Sequence, residues 1–221
     1  MSLITQSGTV HDDPFEELLR QLSERIDDTV KELLSESYEF GRYEEMSTSR
    51  LAEAIRGTLR SFPISVDGLV VDVHLEEFKK PEEHVNGADL YISLVRKDTT
   101  PISKGMLVQA KRREKLRNSG EPERLGNQCK RMRRRSKKAS YVWIFERDGI
   151  VSVTAPQATA PLLQRVSGSS SVGTLITNGL RCNAGDVSIG RDALADRVNA
   201  IRAVMRRLSV PTAIEIAVRS D

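Results

Sequence analysis

A mixed α/β domain is predicted from three observations. Apolar residues recur at helical spacing near both ends of the chain. Val- and Ile-rich runs bounded by Asp-Gly and Asn-Gly pairs fill the middle. The 221 residues are 38% hydrophobic and 29% charged, the balance of a globular protein with one substantial core. No apolar run approaches the ~20 residues that span a bilayer. The first residues, MSLITQSGTVHDDPFEE, lack the basic start and apolar centre of a signal peptide. Residues 1–12 read as a loose tail and 13–221 as one domain, with a core at about 42–154 and a C-terminal elaboration over 155–221.

The elements follow in order. Asp13-Pro14 resembles an N-cap followed by proline at the first helical position. Phe15, Leu18, Leu19, Leu22, Ile26, Val30 and Leu33 then form one stripe, to be packed on the core or paired with a second chain. A second helix is expected from Arg42 to Arg60. At 100° per residue its inward side carries Glu44, Thr48, Leu51, Ile55 and Phe62, with Glu45 a quarter-turn away. An acidic side chain on an inward stripe is unusual, because a buried carboxylate needs a partner.

Strands are expected over Ile64–Leu75 (with Asp67-Gly68 as a turn inside), Ala88–Val95, Gly105–Lys111, Tyr141–Phe145 and Ile150–Thr154. A basic helix spans 121–138, with Glu121 and Glu123 suited to the positive end of its dipole. Pro161–Val166 reads as a short helix, Ser167–Val172 as loop, 191–208 as an amphipathic helix through Leu194, Val198, Ile201, Met205 and Leu208, and Thr212–Val218 as a last strand.

Charge is uneven. Residues 1–98 hold 11 Lys/Arg against 21 Asp/Glu, residues 99–138 hold 14 against 3, and residues 139–221 hold 9 against 7. Seven of the nine residues from Lys130 to Lys138 are basic. A basic middle behind an acidic front suits one face turned to a polyanion; the plainer alternative is a solvated basic helix. Cys129 and Cys182 read as reduced thiols in a cytoplasmic protein, and the three histidines lack zinc-ligand spacing.

One constellation carries chemistry. Gln109 and Lys111 are two apart on a strand, so they share a face, while Met106, Val108 and Ala110 point to the other. Asp89 opens the preceding strand after Gly87, which permits a close approach. Hydrolysing a phosphodiester needs charge neutralisation, a nucleophile made near neutral pH and a stabilised leaving oxygen, all of which one divalent metal supplies. Mg²⁺ takes oxygen ligands and as few as one or two carboxylates. An Asp, a further oxygen donor and a Lys on rigid strands make the minimum kit.

These residues resemble the PD-(D/E)XK nucleases. The order helix-Glu, Gly87-Ala88-Asp89-Leu90, Val108-Gln109-Ala110-Lys111 and a helix with Gln128 looks like that superfamily's α-β-β-β-α-β core over about residues 42 to 145. The variant with Gln in place of Glu is similar to that of modification-dependent restriction endonucleases. The resemblance implies a restriction-endonuclease-like mixed sheet flanked by helices and a Mg²⁺-dependent (or Mn²⁺-dependent) DNA endonuclease of the restriction or genome-defence type. It also implies Asp89 and Gln109 as metal ligands, Lys111 as the water-orienting or charge-stabilising group, Glu44 (or Glu45) as helix carboxylate, and Gln128 as a cleft residue. Ala88 stands in place of the family's proline, and Gln109 in place of an acid, which weakens metal binding and leaves open a non-cleaving nucleic-acid-binding or assembly module. An RNA nuclease is a further alternative.

Arg112, Arg113 and Lys115, and on the next helix Lys130, Arg131, Arg134, Arg135 and Lys138, are the expected phosphate contacts. If about six of them engage, affinity falls by ~10³-fold between 50 and 200 mM salt. Such contacts position a duplex without reading its sequence. Aromatic content of 5% argues against stacking on single strands, and Tyr141, Trp143 and Phe145 read as core. Cutting both strands calls for two sites, so a homodimer is expected, with the helix at 15–34 or that at 191–208 as its interface. A defence-system partner protein is expected, and no membrane.

Overall fold

A computed structural model describes residues 13–39, 48–78, 87–98, 100–158 and 169–221. Among these residues five α-helices flank one seven-stranded mixed sheet: α1 Pro14–Glu39, α2 Thr48–Ser61, α3 Glu121–Arg135, α4 Val172–Leu180 and α5 Arg197–Leu208. The strands are β1 Ser65–Val66, β2 Leu69–Glu77, β3 Leu90–Arg96, β4 Ile102–Arg112, β5 Ser140–Glu146, β6 Gly149–Thr154 and β7 Thr212–Ser220, in the spatial order β1-β2-β7-β3-β4-β5-β6. Among the described residues no helix is long and apolar enough to cross a membrane.

The predicted mixed α/β architecture is present. Asp67 and Gly68 both have positive φ and close the β1–β2 hairpin, the conformation that favours Asp-Gly. Asp13 caps α1, its carboxylate accepting from the Phe15 amide at 3.0 Å. In the chain, α2 is followed by the β1–β2 hairpin and then by β3, β4, α3 and β5. In space β2 and β3 are not neighbours, because β7 lies between them, antiparallel to β2 and parallel to β3. Residues 212–220 thus stand near the middle of the sheet and belong to its core.

Both sheet faces are covered. On one, α1, α2 and α4 pack over Ile92, Met106, Val108, Trp143, Ile214 and Ile216. On the other, α3 and α5 pack over Tyr91, Leu107, Val142, Ile144 and Ala213. The stripes of α1 (Leu18, Leu22, Ile26) and α5 (Ile201, Met205, Leu208) are buried within this chain, so neither apolar stripe is open to a second copy.

Several boundaries differ from expectation. The rear helix begins at Arg197, because the Asp196 side chain caps it by accepting from the Asn199 amide, and Leu194 is left 80% exposed. Phe62, placed inward from helical phase, is 59% exposed beneath the Arg25 guanidinium. Ser170 forms a β-bridge to Ser152, and Ser171 caps α4, a helix not foreseen. The helix expected at 161–166 and the part of the second helix before residue 48 lie outside the described residues.

A cleft at the ends of β3 and β4

The antiparallel register of β3 and β4 pairs Leu90 with Val108, and the Asp89 amide donates to the Val108 carbonyl at 2.8 Å. One step along that ladder, Asp89 meets Gln109. The Gln109 amide nitrogen donates to Asp89 Oδ2 at 2.5 Å and to the Ala110 carbonyl at 3.0 Å. The Ala110 amide donates to the same Asp89 oxygen at 2.9 Å. Asp89 and Gln109 therefore converge as the sequence predicts.

Gly87 makes the approach possible. Its φ is +79°, and a Cβ there would lie 2.8 Å from the Gln128 backbone of α3. The chain thus crosses directly over α3 before entering β3, which only glycine allows without strain.

Lys111 emerges at the end of β4. Its ammonium pairs with Glu121 Oε1 at 2.5 Å, with the two side chains 10% and 17% exposed. Glu121 is the first residue of α3, brought back to the strand end by the loop 113–120, which includes a 3₁₀ turn at Lys115–Arg117 and ends at Gly120 with φ 84°. The sequence marks Glu121 only as a dipole-compatible helix start; its partnership with Lys111, ten residues earlier, is a tertiary fact.

A cleft of about 790 Å³ opens here, lined by Asp89, Ala110, Lys111, Arg112, Lys115 and Glu121 among others. Arg124 of α3 also lines it, as do Thr48 and Ser49 at the start of α2. Its charged lining comprises the cations Lys111, Arg112, Lys115 and Arg124 and the carboxylates Glu77, Asp89 and Glu121.

Four sets of expected site residues do not line the cleft. Gln109 is 3% exposed and lies behind Asp89, away from the open surface, because α3 covers its face of the sheet. Its Oε1 is buried and has no hydrogen-bond partner among the described residues. Gln128 does not line the cleft; it is buried beneath Gly87, two turns into α3. Arg113 turns away to pair with Glu146. Lys130, Arg131, Arg134, Arg135 and Lys138 are exposed on or just beyond the later turns of α3, remote from its Glu121 end. Glu44 and Glu45 lie outside the described residues.

Burial pushes the Cys129 thiol up to about 11, against the opposing pull of Lys111 and Arg133. Both cysteines are free. Trp143, Tyr141 and Phe145 are core, as read from sequence. Among the described residues no three His, Cys, Asp or Glu side chains cluster as a metal-binding group. No family model, curated protein or solved structure matches this chain.

Proposed function

We propose that this cleft is the active site of a divalent-metal-dependent DNA endonuclease of the PD-(D/E)XK type. The observation that carries the reading is the position of the Gln109 amide nitrogen, between Asp89 Oδ2 and the Ala110 carbonyl oxygen. Two oxygens converging on one electropositive group make the kind of place a hard cation takes. The orphaned Gln109 Oε1 fits the same reading: a turn of the amide offers that oxygen to a cation and leaves the nitrogen elsewhere. Asp89, the Ala110 carbonyl and Gln109 would thus hold Mg²⁺ or Mn²⁺, which when bound neutralises phosphate charge and supplies a nucleophilic water.

The chain's own groups do the rest. Lys111, at the cleft wall, offers a positive charge to the non-bridging oxygens of a phosphate seated against Asp89. Glu121 holds that ammonium in place until the phosphate arrives. Arg112, Lys115 and Arg124 fix the backbone of the nucleic acid by charge, without reading bases. Action within restriction or genome defence, a homodimeric assembly and a defence-system partner belong to this proposal.

A second reading is a non-cleaving nucleic-acid module. The same hydrogen bonds favour it, since the Gln109 nitrogen already satisfies Asp89 and Ala110 without a cation.

Plasmid nicking separates the two. With Mg²⁺ the wild type is expected to nick and with EDTA to be silent, and Asp89→Ala and Lys111→Ala each to lower the rate by at least ~10²-fold. Metal-dependent nicking retained by both variants removes the site; no nicking under any condition favours the binding module.

A further inference from the structure

Resting on the nuclease reading, we propose that the bound nucleic acid leaves the cleft along one flank of α3, so that the preferred substrate is a duplex reaching at least ~6 base pairs beyond the scissile phosphate. The flank is defined by Arg124, Arg131 and Arg135. At ~100° per residue these three fall within a sector of ~40°, at seven- and four-residue intervals. All three are exposed, whereas Leu125, Cys129 and Met132 hold the helix to the sheet. Arg124 already lines the cleft; one turn on, the flank carries the buried Gln128 with Gly87 against its backbone, and the exposed charge resumes at Arg131.

Charge and shape select the occupant. Neither Arg131 nor Arg135 has an ion-pair partner among the described residues, and Lys130 and Arg134 beside them widen the positive strip. From Glu121 to Arg135 a helix rises ~21 Å, at ~1.5 Å per residue, matching ~6 base pairs at ~3.4 Å each. No residue of α3 is aromatic, so the strip meets phosphates and has no platform for unstacked bases. A straight strip of charge without stacking groups suits a duplex.

The test compares labelled duplexes of ~8 and ~24 base pairs, and the ~24-nucleotide single strand, by anisotropy with the wild type and the double variant Arg131→Ala/Arg135→Ala. The proposal expects the long duplex to bind about tenfold or more weakly to the variant, with its salt slope reduced by ~2, and the short duplex to be unaffected. Thermal melting of the variant checks that it is folded, as exposed positions predict. Equal loss on both duplexes, no loss on either, or equal preference for the single strand overturns the path. If the path fails while Asp89-dependent nicking persists, the nuclease reading stands. If neither duplex binds and no plasmid is cut, both fall.

Discussion

Gln109 bridges two acceptors, and the metal-site proposal predicts a distinctive response to its substitution. Its nitrogen makes both bonds, while its oxygen is buried with no partner among the described residues. In Gln109→Glu a carboxylate would face Asp89 with no proton or metal between them. Like charges at such range, with a lost donor, are expected to cost about 1–3 kcal/mol without metal. Mg²⁺ should restore that loss, read as a rise in melting temperature on adding Mg²⁺ that exceeds the wild type's. Equal melting of the two proteins in EDTA, with no Mg²⁺ effect, would sink the idea that this spot suits a cation. The two cysteines give an independent check on the burial of the α3 face. Cys129 is buried with its thiol held up to about 11, and Cys182 is exposed. At about pH 8 a thiol reagent should modify one cysteine in the native protein and two in denaturant. Rapid native labelling of both would show that α3 does not seal the sheet.

Among the elements, β7 is held in the sheet by a buried polar cluster. Glu215 is fully buried and accepts from the Arg191 guanidinium, from Arg197 Nε at 3.0 Å and from the Ser93 hydroxyl at 3.0 Å. Arg197 reaches on to Asp72 of β2, so one cluster ties β2, β7, β3 and the start of α5 together. Burial pushes the Asp72 carboxyl up, but the Arg197 hydrogen bond and charge outweigh it and leave it below its usual value. Glu215→Ala would leave the Arg191 charge buried without its partner, so urea unfolding should show a loss of about 3–5 kcal/mol. A loss under ~1 kcal/mol would mean the cluster is solvated in solution. The same strand shows what sequence patterning can and cannot tell. Alternation over 212–218 marks β7 as a strand, yet nothing in it reveals insertion between β2 and β3, a pairing made across more than a hundred residues. Helix α4 escaped notice for a local reason. It has only nine residues and carries Gly173 and Gly179, each of which lowers helix propensity. Both are there for close packing: a Cβ would lie 2.3 Å from the Ser23 carbonyl oxygen at Gly173 and 2.1 Å from Leu94 at Gly179. Helix α5 started late because capping by Asp196 prevailed over the apolar Leu194.

For the whole molecule, the meeting of Asp89 with Gln109, and the placing of Lys111 on the same face of β4 as Gln109, was legible because it depends on strand parity and on the glycine before β3. The cleft's other half was not. Glu121 and Arg124 arrive through the loop 113–120, and Gln128 is carried under Gly87 by the same docking of α3. Sequence reasoning places side chains along an element well, and places elements against one another poorly. The account as a whole requires the paired oxygens of Asp89 and Ala110 to bind a divalent cation. Calorimetric titration of Mn²⁺ into the protein, and into Asp89→Asn, measures this most directly. The account predicts saturable binding in the wild type that is abolished in Asp89→Asn, with both proteins folded. No binding by the wild type, or binding that survives in Asp89→Asn, would contradict it.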